Sequence, residues 1–353
     1  MANSFWLYRI FDVAEEINLE RVEQILAQTG STSRMKLSRV RSKSIQIKNP
    51  PVTIELGEET VTALQMPFKA TFSARIFDLG VISIVLRITL PLEFDYDNIH
   101  KLSVYMYNTD DMEPLFENKL SQIQRTLQDA MFKPVLSGFV EDYIIYFFRN
   151  WNPEWDPAPL LLAETEPLSD QVRRELTANS FVYGREDLAV ITWDSALVYD
   201  ASGSADIPDL LEFANSQLLE LRYYDNLLSD EMRKMYQAIE DVGTVPKYGR
   251  RRQYRKIMNE LMELVADVSE ITERIHNSLK VTEDIFYARV YGSALNIFRT
   301  RAWADSIERK ISIIQQSYSM LSDEIVTQQS AIMELAIVLL IMLEIVLGLN
   351  KLL

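Results

Sequence analysis

The sequence predicts an α+β N-terminal domain with a mixed or antiparallel sheet, followed by an all-α part with long coiled-coil helices and a C-terminal apolar helix. Three observations carry this prediction. Strand-like runs rich in aromatic and β-branched residues recur among helical patterns up to residue 200. Strand signals then vanish and helix formers dominate, and residues 331–349 are almost wholly apolar. The predicted divisions are therefore 1–200, 206–330 and 331–349.

The first 150 residues show the order strand, helix, strand, strand, helix, strand, with one additional strand. The predicted segments are a strand at 4–13, a helix at 15–30, a strand at 36–48, two strands within 61–91, a helix near 111–131 and a strand at 141–151. This order is similar to a ferredoxin-like split βαβ arrangement, which we expect for the domain.

The rest of the chain changes from a hairpin to long helices. A Pro-rich break at 152–159, a short helix at 167–178 and a hairpin at 179–200 precede one helix at 208–241. Apolar residues then step by four and three, at Ile257, Leu261, Leu264, Val268, Ile271 and Ile275, and again at Ile307, Ile311, Ile314, Tyr318, Leu321 and Ile325. This spacing predicts either an antiparallel helical hairpin or an intermolecular coiled coil.

The composition excludes several classes of protein. The 353 residues contain 36 Lys and Arg against 51 Asp and Glu, a net charge of −15, which argues against bulk binding of nucleic acid. The absence of cysteine excludes disulfides, thiolate nucleophiles and Cys-ligated metals. His100 and His276 each follow a carboxylate by three residues, but they belong to different regions, so no metal site is predicted. Since phosphate-loop, dinucleotide-binding and nucleophile-elbow motifs are also absent, we predict no cofactor, no catalytic residue and no enzymatic activity.

Residues 331–349 have the length of a membrane span. As a helix they extend about 28 Å, close to the roughly 30 Å hydrocarbon core of a bilayer. Glu334 falls in the first turn, and Glu344 lies deeper, where a charge costs about 2.5–3.5 kcal/mol, but the many Leu, Ile and Val residues outweigh that cost. The sequence therefore predicts a tail anchor, with the N-terminal domain in the cytoplasm. The alternative is a buried oligomerisation helix of a soluble protein.

Residues 247–256, "KYGRRRQYRK", hold six cations and no acid. The residues that define a predicted patch for an anionic partner are Arg250, Arg251, Arg252, Arg255 and Lys256. Such a patch suits RNA phosphates or anionic lipid head groups. The alternative is a solvated helix start that pairs with neighbouring acids.

Polar side chains also interrupt the apolar helix "LLEFANSQLLELRYYDNLL" at 210–228. They include Asn215, Glu220, Arg222, Tyr223 and Asp225. We interpret this polar helix motif as a buried hydrogen-bond network that fixes the register of the helix.

Together with "KVTEDIFYARVY" at 280–291 and the ending "MELAIVLLIMLEIVLGL" at 333–349, this helix resembles the required-for-meiotic-nuclear-division family. Met333 precedes Glu334, and Glu344 matches the second acid of the family's ending. Because the N-terminus lacks a transit peptide, the chain resembles a bacterial-type member. The resemblance implies a single C-terminal membrane span, an oligomer and no known enzymatic activity, and mitochondrial relatives suggest a link to translation.

These observations predict a non-enzymatic, membrane-anchored, homo-oligomeric scaffold that tethers a translation- or RNA-related partner at the membrane. The expected partners are other copies of the chain, membrane lipid, and RNA or the ribosome, with no small-molecule substrate. The alternative function is a soluble homo-oligomeric interaction protein whose apolar tail is buried in a helical core.

Overall fold

The computed structural model describes residues 2–28, 37–38, 49–134, 137–244, 247–277 and 284–352. Within the helices and strands, the side chains of residues 28, 37–38, 241–251, 253, 267, 270–271, 274–277, 328, 331–332 and 346–352 lie outside this description. The chain divides into two compact units. Unit 1 comprises Met1–Tyr223 and Arg274–Trp303, and unit 2 comprises Tyr224–Glu273 and Ala304–Leu353.

The strands all belong to the first 200 residues. They are β1 (Ser4–Asp12), β2 (Ala14–Ile17), β3 (Leu37–Ser38), β4 (Val52–Ala63), β5 (Met66–Ile76), β6 (Val81–Thr89), β7 (Met131–Pro134), β8 (Val140–Phe148), β9 (Ser180–Phe181), β10 (Asp187–Ile191) and β11 (Ser195–Asp200). The helices are α1 (Leu19–Gln28), α2 (Tyr96–Asn108), α3 (Glu113–Leu127) with a 3-10 turn at Gln128–Ala130, α4 (Pro157–Leu162), α5 (Asp170–Thr177), α6 (Asp206–Thr244), α7 (Lys247–Asn277), α8 (Ile285–Ile297) and α9 (Thr300–Leu352).

Nine of these strands form one mixed sheet in the order β3-β4-β5-β6-β1-β8-β11-β10-β9, and β2 pairs separately with β7. Neighbouring strands of the sheet are antiparallel except for β8 and β11, which are parallel. A mixed-sheet N-terminal domain followed by a helical part confirms the coarse fold prediction. The strand order does not confirm the finer prediction of a ferredoxin-like split βαβ arrangement.

Strand β1 shows why the central strands read as unbroken apolar runs. Phe5 and Leu7 pack into a core that also includes residues of α1, α2, α3 and α4. Tyr8 and Ile10 pack on the opposite face of the sheet, in a core that includes residues of α6 and α8. Because both faces of the sheet are covered, odd- and even-numbered side chains of the strand are both buried. The usual alternation of apolar and polar residues therefore disappears.

The turn between β5 and β6 requires a glycine. Gly80 has a φ of +92°, and a Cβ added there would lie 1.8 Å from the carbonyl oxygen of Ala14. The carbonyl of Gly80 also accepts a hydrogen bond of 3.0 Å from the backbone N–H of Val13. The turn therefore fits closely against Val13 and the start of β2, and only a residue without a side chain leaves room for it.

The prediction of a membrane-spanning tail is wrong. Helix α9 reaches Leu352, but no helix in the described part of the chain is long and apolar enough to cross a bilayer. The apolar end of α9 also contains Glu334 and Glu344. The predicted tail anchor and the predicted membrane localisation, with a single C-terminal span and a cytoplasmic N-terminal domain, are corrected accordingly.

Candidate functional site

Residues 333–345 of α9 form an exposed apolar segment, called the apolar tail below. Its ten large apolar side chains are between 52% and 65% exposed. They are Met333, Leu335, Ile337, Val338, Leu339, Leu340, Ile341, Met342, Leu343 and Ile345. Glu334 and Glu344 are exposed within the same stretch. A contiguous apolar surface of this kind marks an interaction site, because single apolar side chains are common on protein surfaces but large patches are not.

The preceding part of α9 is covered by unit 2. Ile307 and Ile314 are fully buried, and Leu321 is 2% exposed. Lys310 joins α9 to α6 in this unit, since its Nζ lies 2.6 Å from Oδ1 of Asp225 and 2.6 Å from Oγ of Ser229. The same helix therefore passes from a buried segment to an exposed one.

The predicted anionic-partner patch is described in part. Arg252, Arg255 and Lys256 are exposed on α7, and the side chains of Arg250 and Arg251 lie outside the described residues. Positions 252, 255 and 256 share one face of the helix. Lys256 Nζ lies 3.7 Å from the carboxylate of Glu260, a loose pairing between exposed groups. The described cations therefore form an accessible basic surface with little local neutralisation.

The first part of the polar helix motif is buried in unit 1. Asn215 is 2% exposed and Glu220 is 1% exposed. The side-chain amide of Asn215 donates to the carbonyl oxygen of Leu211 at 2.9 Å. The adjacent Gln217 accepts a hydrogen bond of 2.5 Å from the hydroxyl of Tyr291 on α8. Asn215 and Gln217 of α6 are thus engaged with their own helix and with α8.

The second part of the motif is only partly buried. Arg222 forms an ion pair with Glu141 on β8. Burial raises the pKa of Glu141, and the Arg222 charge opposes that rise. Tyr223 meets the ring of Phe139 edge to face, with centroids 6.1 Å apart. The remaining residue of the motif, Asp225, is the partner of Lys310 in unit 2.

Sequence reasoning missed a buried charged cluster between β5 and α6. Arg75 lies 2.6 Å from Oδ1 of Asp209 and 2.5 Å from Oε2 of Glu212. The side chain of Arg75 is 12% exposed and that of Glu212 is 2% exposed. Two signals were present, an arginine inside the strand-like run 72–77 and two acids spaced by three residues at the start of α6. Their pairing, across more than 130 residues of chain, was not visible in the sequence.

Removal from water disfavours the ionised forms of the acids in this cluster. Burial raises the pKa of Glu212 and of Asp209, and Arg75 opposes the rise in both. Burial, followed by the charge of Glu212, also holds the pKa of Tyr8 well above its usual value. In the described part of the chain, no three His, Asp or Glu side chains are placed to hold a metal ion. The ion pairs of Arg75 with Asp209 and Glu212 join β5 to α6.

The comparisons with known proteins concern mainly the sheet domain. A family model, the N-terminal domain of Uncharacterized protein MJ0711, matches residues 2–206, which is more than half of the 353 residues. The chain belongs to this family. The MJ0711 N-terminal domain match includes every described strand and ends at Asp206, where α6 begins.

One relative is Uncharacterized protein MJ0711 of Methanocaldococcus jannaschii. It is 26% identical over 253 residues, which cover 68% of this chain and 73% of the relative. No solved structure shows a significant match.

The resemblance to the required-for-meiotic-nuclear-division family is wrong. The match to the MJ0711 N-terminal domain and the archaeal relative overturn it, and the archaeal relative also conflicts with a bacterial-type member. The resemblance rested on a polar-interrupted helix and an apolar ending. Both patterns arise wherever a helix must be buried, so they say little about family.

Proposed function

We propose that this chain is a non-enzymatic interaction protein that assembles with copies of itself, its apolar tail being buried in a shared helical core. One observation carries the proposal. Ten large apolar side chains between residues 333 and 345 of α9 are more than half exposed. Association removes such surface from water, and a second copy of the chain offers an equivalent surface in equal amount.

The area of the apolar tail is sufficient for a stable interface. At about 100 Å² for each exposed side chain, the tail presents about 1,000 Å² of apolar surface. Burying half of it in each of two copies removes about 1,000 Å² in total from water, which reaches the roughly 1,000 Å² that a biological interface needs.

A second interaction is proposed for the basic surface of α7. Exposed Arg252, Arg255 and Lys256 favour a polyanionic partner of the RNA type in a chain whose net charge is −15. This proposal is independent of self-association, because the cations lie on α7 and the apolar tail lies on α9.

Sedimentation equilibrium of the full chain, purified without detergent, tests self-association. At micromolar concentration we expect an integer multiple of the chain mass, and we expect a variant ending at Ser330 to be monomeric. Circular dichroism is the folding control, since the truncated variant should lose only the helical signal of the removed residues. A monomeric full chain, or a truncated variant that keeps the full oligomer mass, would overturn the proposal.

A further inference from the structure

The buried face of α9 repeats at intervals of four and three residues. Ile307, Ile314, Leu321 and Ile325 occupy this face in unit 2 and are at most 7% exposed. In a seven-residue repeat labelled a to g, Ile325 takes position a and the other three take position d. The observed burial therefore sets the phase of the repeat for the rest of the helix.

The same phase selects three residues of the apolar tail. Counting on from Ile325, Leu335 falls at d, Leu339 at a and Met342 at d. These three residues, called the tail seam below, are 62%, 55% and 57% exposed, whereas Ile307, Ile314, Leu321 and Ile325 on the same face are buried. The helix face that is buried inside unit 2 therefore continues into the apolar tail, where its side chains are exposed.

Both acids of the apolar tail lie away from the tail seam. Glu344 falls at f and Glu334 at c, and each of these positions is about 155° around the helix axis from position a. Ile337 also falls at f, one repeat before Glu344. The acids therefore mark the side of the helix opposite the tail seam, and the repeat explains where two charges fit in an otherwise apolar segment.

We propose that the tail seam packs against the tail seam of another copy, as a coiled coil that continues the buried face of α9, with Glu334 and Glu344 facing water. This inference rests on the proposed self-association and adds the face that is buried. The opposite orientation would place carboxylates in an apolar interface, where each would lose its hydration without a cation to replace it. The partner that fits best is the same helix of a second chain, since it supplies a seam of matching spacing.

A pair of matched substitutions in the full chain tests the choice of face. Leu339→Glu places a carboxylate in the tail seam, and Ile337→Glu places one on the side of Glu344. Leu339 and Ile337 are each 55% exposed in the single chain and lose similar apolar volume. We expect Leu339→Glu to weaken association at least about 100-fold and Ile337→Glu to weaken it less than about threefold, because only the first buries a charge. Equal effects of the two substitutions would overturn the proposal.

Cysteine cross-linking gives a readout that does not depend on weakened assembly. The chain has no cysteine, so a single introduced thiol can react only with its counterpart in another copy. Under mild oxidation we expect Leu339→Cys to form a disulfide-linked pair and Ile337→Cys to remain unlinked, because a disulfide requires Cα atoms within about 7 Å. Preferential cross-linking of Ile337→Cys would contradict the assigned face.

Self-association through the apolar tail and the choice of its buried face are refuted by different results. If the variant ending at Ser330 remains fully assembled, self-association through the apolar tail is wrong. If truncation abolishes assembly but the 337 and 339 variants behave alike, self-association stands and the assigned face is wrong.

Discussion

Replacing Arg75 by methionine removes the cation that holds two buried acids against the sheet. Asp209 and Glu212, at 2.6 and 2.5 Å, both lose their partner. Methionine keeps much of the apolar volume of the arginine side chain, so the loss of stability should come from uncompensated charge and only slightly from a cavity.

The size of the effect follows from the burial of these groups. Removing one partner of a buried ion pair costs about 3–5 kcal/mol. One arginine serves two acids here, which places the expected loss towards the upper end of that range at pH 7. Arg87 limits the loss, because its charge also favours the ionised forms of Asp209 and Glu212.

The effect should depend on pH with a definite sign. Burial raises the pKa of Asp209 and Glu212 in the folded protein, against the opposing effect of Arg75. A carboxyl group with a raised folded pKa contributes stability that is fully present below its unfolded pKa and is lost as the pH rises through the folded pKa. Without Arg75 both pKa values rise further, so Arg75→Met should lose most stability at pH 7 and clearly less at about pH 5.

Urea unfolding followed by tryptophan fluorescence measures this loss. All five tryptophans lie in unit 1, so the signal reports on the unit that contains the cluster. Lys69→Met on the same strand is the control, since it breaks a pair with Glu58 at 2.9 Å in which both side chains are more than 60% exposed. The control should lose less than about 1 kcal/mol. An Arg75→Met loss no larger than that of the control, or equal at both pH values, would refute the argument from buried charge.

Two further predictions concern the β5–β6 turn and the basic surface of α7. Gly80→Ala should lower the free energy of unfolding by more than about 3 kcal/mol, because its Cβ would lie 1.8 Å from the carbonyl oxygen of Ala14. Gly138→Ala is the control, since Gly138 also has a positive φ, +77°, but an added Cβ would meet nothing within 4 Å. The control should lose only about 1 kcal/mol. Comparable losses in urea unfolding would contradict the steric argument. Replacing Arg252 and Arg255 together by alanine should reduce the salt dependence of binding to single-stranded RNA by about one phosphate contact per arginine, and an unchanged slope would remove this surface from consideration.

The sheet domain was predictable because its strands are long and strongly apolar. The predicted strand at 4–13 coincides closely with β1, Ser4–Asp12. No helix was predicted between residues 91 and 111, where the structure has α2 with Asp97 in its first turn. The segment is rich in tyrosine and other residues with weak helix propensity. Its start depends on Asp95, which accepts a hydrogen bond of 2.9 Å from the backbone N–H of Asn98, and on tertiary packing that a local pattern does not contain.

The sequence identified several polar residues of the candidate site but not the residues that they contact. The polar residues of α6 stood out because they interrupt an apolar helix, and Asn215 and Glu220 are indeed buried. The partner of Arg222 is Glu141, 81 residues earlier in the chain, and the acids at the start of α6 depend on Arg75. Sheet topology brings these groups together, so the sequence shows which residues need partners but not which residues supply them.

Hydropathy alone did not distinguish insertion of the apolar tail into a bilayer from its burial in a helical core, because both remove apolar side chains from water. The phase of the repeat does favour the helical core, since the repeat set by buried Ile325 turns Glu344 away from the face of Leu339. Lipid surrounds a helix on every side and gives a charge no preferred face, whereas a protein interface has an outside on which a carboxylate stays hydrated.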